Sequence, residues 1–231
     1  MLYWNAYKCN TRCSRAGSQA LPQTAMSTLP SLTEIQACHS DPGSPLAHAL
    51  SLLFEPSPIL LTTLEPQLNK VIASSLPLTT YDQLIDLALT EIAKWDVPAR
   101  SEFISGHPRI GESKALSALS AKEQGAQGVK PTPPEVLARL NHLNACYETC
   151  YPGLRYITFV NGRSRAVIAE EMEDVLGYNH SLSPDEPAIE TLTQFEIGTA
   201  SWLSELNRAV QDVGRIAKSR LEALGIDSRL Q

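Results

Sequence analysis

Thr-Ala-Ser-Trp-Leu-Ser-Glu-Leu-Asn-Arg-Ala-Val-Gln-Asp-Val-Gly-Arg-Ile-Ala-Lys-Ser-Arg-Leu-Glu-Ala-Leu-Gly, residues 199–225, is the stretch that decides the fold class. Its apolar residues Leu203, Leu206, Val210, Val213, Ala217, Leu221 and Leu224 recur at steps of three and four. That spacing puts side chains on one face of a helix, whereas a strand needs steps of two. Gly225 ends the pattern as a helix C′ residue, where a left-handed backbone is wanted. Working outward, the same spacing returns. Leu46, Ala49, Leu50 and Leu53 share one face, and Leu84, Ile85, Ala88, Leu89 and Ile92 share another behind a Thr80-x-x-Gln83 capping box. Thr132-Pro133-Pro134-Glu135 opens a further helix, with Pro at the first helical position, Glu135 closing a box, and Val136, Leu137, Leu140, Leu143 and Tyr147 inward. Arg155 to Val160 is the single segment that reads as extended, between Pro152-Gly153 and Asn161-Gly162, and one such segment makes no sheet. The expectation is an all-α, single-domain, multi-helix bundle crossed by one extended linker near 155–160. Gly177 to Pro187, rich in Ser, Pro, Asp and Glu, reads as an exposed loop.

With 231 residues, 43% of them hydrophobic, the chain can bury one proper core. A net charge of −6 argues against a nucleic-acid partner, which needs clustered Lys and Arg. The apolar runs are too short for a membrane span. The five cysteines form an odd set without a signal-peptide apolar run, which points to free thiols in a reducing, intracellular setting. Cys9/Cys13 and Cys146/Cys150 share i,i+4 spacing, yet lack the turn glycines of zinc knuckles, so no metal is expected. Residues 1–25 carry Lys8, Arg12 and Arg15 and no acid, the composition of a transit segment, and read as a disordered extension ahead of a domain at 26–231.

Chemistry enters at residues 105–128. His107-Pro108 sets an imidazole on a turn, and a Ser120-x-x-Glu123-Gln124 helix start follows. A carboxylate on that helix can orient the imidazole for proton transfer, which makes His107 and Glu123 the first catalytic candidates. Taken by themselves, both features have structural readings: Ser120 and Glu123 also form a capping box, and His107 also closes a turn. His39, His48, His142 and His180 have no motif around them.

Five ordered blocks carry a resemblance. Phe103 to Gly106 with His107-Pro108-Arg109-Ile110-Gly111, Ser120-x-x-Glu123-Gln124, Leu143-Asn144-x-x-Tyr147, Phe159-Val160-Asn161-Gly162-Arg163 and Val213-Gly214-Arg215-Ile216-Ala217-x-x-Arg220-Leu221 resemble the 2-oxo-4-hydroxy-4-carboxy-5-ureidoimidazoline (OHCU) decarboxylases. The resemblance implies an all-α homodimer of urate breakdown that needs no metal or organic cofactor and delivers (S)-allantoin from a small-molecule substrate. It implies His107 as catalytic proton donor with Glu123 beside it. It further implies substrate contacts at Pro108, Ser120, Ala121, Lys122 and Gln124, and at Leu154, Arg155, Tyr156, Ile157 and Thr158. Members also tend to carry a late Arg-Leu pair in the helix after the Gly-Arg turn. This chain has Glu173-Asp174-Val175-Leu176 there, so either Arg163 or Arg165 substitutes or activity is reduced, and the anion-binding part of the site stays unassigned. The alternative is a non-catalytic helical paralogue or interaction module on the same scaffold. A cytoplasmic location is expected, with the peroxisome second, since Ser228-Arg229-Leu230 resembles a peroxisomal tripeptide but is followed by Gln231.

Overall fold

A computed structural model describes residues 28–37, 39–74, 77–112 and 131–225. The expected extension at 1–25 lies outside them. The described residues hold eight α-helices: α1 (Leu32–Ala37), α2 (Pro45–Phe54), α3 (Glu65–Ser74), α4 (Tyr81–Ala93), α5 (Val97–Ser105), α6 (Pro134–Cys150), α7 (Arg165–Leu176) and α8 (Ala200–Ala223). A π-helical turn, Leu60–Leu64, runs into α3, and a short 3-10 turn, Ile189–Thr191, interrupts the connection between α7 and α8. No strand occurs among the described residues, so the all-α expectation is met.

Local chemistry starts the helices where short polar side chains can accept an orphan amide. Ser44 accepts from Ala47 N at 3.0 Å, Thr80 from Gln83 N at 3.2 Å, Asp96 from Ala99 N at 3.0 Å and Ser164 from Val167 N at 3.3 Å. The box expected at Thr80 closes differently, because Gln83 Oε1 accepts from Thr79 N at 2.8 Å. The box expected at Thr132 does not form. Helix α6 begins at Pro134 with Pro133 as its uncapped N-cap, and Thr132 Oγ1 instead accepts from Arg165 Nη1 at 3.2 Å.

Helix α8 is the central rod. It packs on α2, α4 and α5, while α6 pairs with α7. Its apolar stripe is buried as expected at Leu206, Val213, Ala217 and Leu221, but Trp202, Glu205, Asp212 and Arg220 are buried with it. At Gly214 the rod touches α4 so closely that an added Cβ would lie 2.6 Å from Leu89 Cδ1. Gly214→Ala requires the end of the Leu89 side chain to shift, and because alanine gains about 1 kcal/mol over glycine in a helix interior, the net destabilisation is expected to be no more than about 1 kcal/mol. Chemical denaturation would show this as a lower midpoint with an unchanged slope.

The connection after α7 is mostly exposed, in line with the expected loop, but one buried cation ties it down. Arg139 of α6, 1% exposed, donates through Nε to Glu173 Oε1 at 2.7 Å and through Nη1 to the carbonyls of Ser183 (2.9 Å) and Glu186. Glu173 also accepts from Ser181 N at 3.0 Å. No helix among the described residues is long and apolar enough to cross a membrane.

Candidate active site

His107 stands at the end of α5, where Gly106 stops the helix and its amide still donates to Glu102 O. The His107 ring is buried and lies edge-on to Phe103, 5.0 Å between centroids. Its Nδ1 is 2.9 Å from Phe103 O. A carbonyl only accepts, so Nδ1 carries the proton and Nε2 is left as the bare, basic nitrogen. That Nε2 is buried and finds no hydrogen-bond partner among the described residues. An unsatisfied buried nitrogen is costly in a structural histidine and useful in a catalytic one.

Burial also fixes the charge state. It lowers the imidazole from its ordinary 6.5 to about 4, and the Arg220 charge pushes the same way, against opposing contributions from the Phe103 carbonyl and Glu55. His107 is thus neutral in the resting fold. Between pH 6.5 and about 4 the unfolded chain binds a proton at His107 that the folded chain does not. Stability is therefore expected to fall as pH drops through that window, with His107→Asn flattening the slope. Thermal melts of both proteins from pH 7 to 4 check this.

The turn after His107 is fastened from α6. Asn144 Nδ2 donates to Ile110 O at 2.9 Å, and Arg109 forks onto Glu148 through Nε at 2.5 Å and Nη2 at 2.7 Å. Gly111 takes φ +85° against Leu140, a backbone that other residues adopt only with strain. Leu143-Asn144-x-x-Tyr147 and His107-Pro108-Arg109-Ile110-Gly111 are thereby two sides of one device. Pro108 is half-buried within it.

The extended linker reaches the same turn from the other side, where Arg155 Nη1 donates to His107 O. Leu154, Tyr156, Ile157 and Thr158 of the linker are buried. Ser101 Oγ holds Gly153 O at 2.8 Å, and Arg208 Nη1 holds Ile157 O at 2.8 Å while its guanidinium sits 5.0 Å from the Tyr156 ring centre. Glu171 accepts from the Tyr156 and Thr158 hydroxyls at 2.8 and 2.9 Å. The segment is a clamped edge, bonded by side chains in place of neighbouring strands.

Of Leu154 to Thr158, Arg155 reaches His107 directly, whereas Tyr156 and Thr158 bond Glu171 and Thr158 lines a cavity whose walls do not include His107. Glu123, Ser120, Ala121, Lys122 and Gln124 lie outside the described residues. Neither Arg163 nor Arg165 contacts His107 among the described residues, and Arg165 donates to Thr132 Oγ1. Arg163 bonds Glu171, Thr158 Oγ1 and the carbonyls of Phe159 and Val160, and it lines a separate cavity of about 350 Å³ with Arg208, Asp212 and Arg215. The cation whose charge acts on His107 is Arg220, 3% exposed, from the last turn of α8. Sequence reasoning gave it no role, although a charge within the stripe Val213, Ala217, Leu221 is the signal that a buried partner waits. Its Nη2 donates to Glu55 Oε1 at 2.6 Å.

Among the described residues no group of three or more His, Cys, Asp or Glu is placed to hold a metal ion. Cys146 and Cys150 are free, and burial pushes both thiols up, away from the thiolate that a metal requires.

A model of the family described as OHCU decarboxylase matches residues 42–222. The chain belongs to the OHCU decarboxylase family. A search of the curated proteins finds no match. The matched span runs from just before α2 to the last turn of α8, so it contains both His107 and Arg220. The OHCU decarboxylases are lyases of urate breakdown that remove a carboxyl group from a small molecule. Within the matched span lie a buried imidazole, His107, and a buried guanidinium, Arg220, whose charge acts on it.

Proposed function

We propose that the chain catalyses cofactor-independent decarboxylation of 2-oxo-4-hydroxy-4-carboxy-5-ureidoimidazoline to (S)-allantoin. The observation that carries the reading is the buried Nε2 of neutral His107, without a hydrogen-bond partner among the described residues, in a site that also holds the Arg220 charge. Arg220 attracts the substrate carboxylate and sets its orientation toward the ring. As the bond from the hydroxyl-bearing carbon to the carboxylate breaks, its electron pair moves into the adjacent C=N, so the substrate is its own electron sink. Carbon dioxide leaves. The ring nitrogen that receives the pair takes a proton from solvent, which accounts for the one proton the net reaction consumes.

His107 then moves the proton that sets the handedness. Its Nε2 accepts the hydroxyl proton, and the resulting imidazolium delivers it to the neighbouring ring carbon from one face, leaving a carbonyl behind. A resting imidazole that is neutral suits this order: it becomes the donor only after it has acted as base. Glu123 is read as the group that orients the substrate and steadies the imidazolium. Ser120, Ala121, Lys122 and Gln124 are read as contacts to the ureido and ring edges, together with Pro108 and Leu154 to Thr158. The reading includes a homodimer in the cytoplasm, with the peroxisome as the second setting, and a domain at 26–231 behind an extension at 1–25.

The test is consumption of the ureidoimidazoline generated in situ by urate oxidase and hydroxyisourate hydrolase. Faster decay of its absorbance on adding the protein, with matching release of carbon dioxide, supports the decarboxylase. An unchanged decay with folded protein favours the non-catalytic paralogue.

A further inference from the structure

Glu55 follows α2 with φ 67° and ψ 138°, a backbone region that glycine enters freely and other residues enter under strain. The chain nevertheless holds a glutamate there, so the side chain is what the position requires. Its carboxyl is buried, 7% exposed, and accepts from Arg220 Nη2 at 2.6 Å. The same guanidinium donates through Nη1 to the carbonyls of Leu52 (3.1 Å) and Leu53 (3.2 Å), the orphan carbonyls at the end of α2. Two residues on, Ser57 abuts the turn that carries the histidine: a Cβ on Gly106 would lie 3.1 Å from Ser57 Cβ. The end of α2, the last turn of α8 and the end of α5 thus meet at His107, whose ring lies within the fields of both Glu55 and Arg220.

We infer that Glu55 is a positioning residue for decarboxylation, fixing the Arg220 guanidinium against the end of α2 and offsetting part of its charge, so that Arg220 orients the substrate carboxylate without trapping it. The inference rests on the decarboxylase reading, with Arg220 as the partner of the carboxylate. Decarboxylation drains negative charge from the carboxylate into the ring. A full, uncompensated cation on that carboxylate would therefore stabilise the starting state more than the transition state, which lowers KM and kcat together. A carboxylate held behind the guanidinium weakens that ground-state attraction while keeping the geometry.

Glu55→Gln keeps the shape and an acceptor oxygen for Nη2 and removes the charge. With the ureidoimidazoline generated in situ, KM and kcat are each expected to fall by about tenfold, leaving kcat/KM within about threefold of the parent. Glu55→Asp keeps the charge but withdraws it by one methylene, and both constants are expected to fall by a smaller factor. Loss of packing alone would raise KM. A folded Gln variant with parental constants, or with a raised KM, overturns the inference; if the Gln variant does not fold, the direction of KM in the Asp variant decides by the same rule. An inactive parent protein would instead overturn the decarboxylase reading, and the role of Glu55 with it.

Discussion

His107→Ala is expected to remove catalysed turnover by at least about a hundredfold, the usual size of a positioned acid–base group, while the helical circular dichroism persists. Two losses are combined in that variant. The ring leaves a gap against Phe103, and Phe103 O loses the donor that Nδ1 supplied. Stability is therefore expected to fall as well, by about 1–3 kcal/mol. His107→Asn separates the two effects. Its amide nitrogen can still donate to Phe103 O, but it has no counterpart of Nε2. Both variants are expected to be equally inactive, with the Asn variant the more stable. An Asn variant that keeps more than a tenth of parental kcat would remove Nε2 from the mechanism.

Arg139→Met is expected to cost about 3–5 kcal/mol, the penalty for leaving a buried charge without its partner. Arg139 and Glu173 are each 1% exposed, so removing the guanidinium strands the carboxylate in the interior. It also frees the carbonyls of Ser183 and Glu186 that tie the connection between α7 and α8. For a chain of this size the melting temperature should drop by roughly 10 °C. Arg139→Met with Glu173→Leu is expected to recover much of the loss, because both charges leave together. Calorimetry on the single and double variants checks this, and a single variant within about 1 kcal/mol of the parent would mean the pair is not dry.

The helices were legible where one physical rule dominates. The stripe along α8 and the faces of α2 and α4 follow the 3.6-residue period, and burial matches the spacing except at Leu89, Leu203 and Val210, which are half-buried. Helix α5 was not legible as a pattern, since only Phe103 and Ile104 of its nine residues are buried. The Thr132 box was misread because Arg165, distant in sequence, takes the hydroxyl. His107 was legible as a motif, but its neutral state was not, because that depends on burial assembled from α2, α5 and α8. The Glu55–Arg220 contact joins residues 165 apart; a charge within the apolar stripe of α8 signals that Arg220 has a buried partner, but no local pattern says that the partner is Glu55. Ser120 and Glu123, which sequence reasoning left between cap and catalyst, lie outside the described residues. Glu123→Gln addresses them in solution: it keeps an acceptor for a cap and removes the charge, so an unchanged melting temperature with lost turnover assigns Glu123 to the chemistry.

The central claim is that this protein delivers a proton to one face of the decarboxylated ring. The most direct measurement is the time course of optical activity as urate is converted by urate oxidase and hydroxyisourate hydrolase, with and without the protein. Spontaneous decay gives racemic allantoin. Rapid build-up of the (S) enantiomer is the expected result, and a trace identical to the spontaneous one, from protein shown to be folded, would contradict the account.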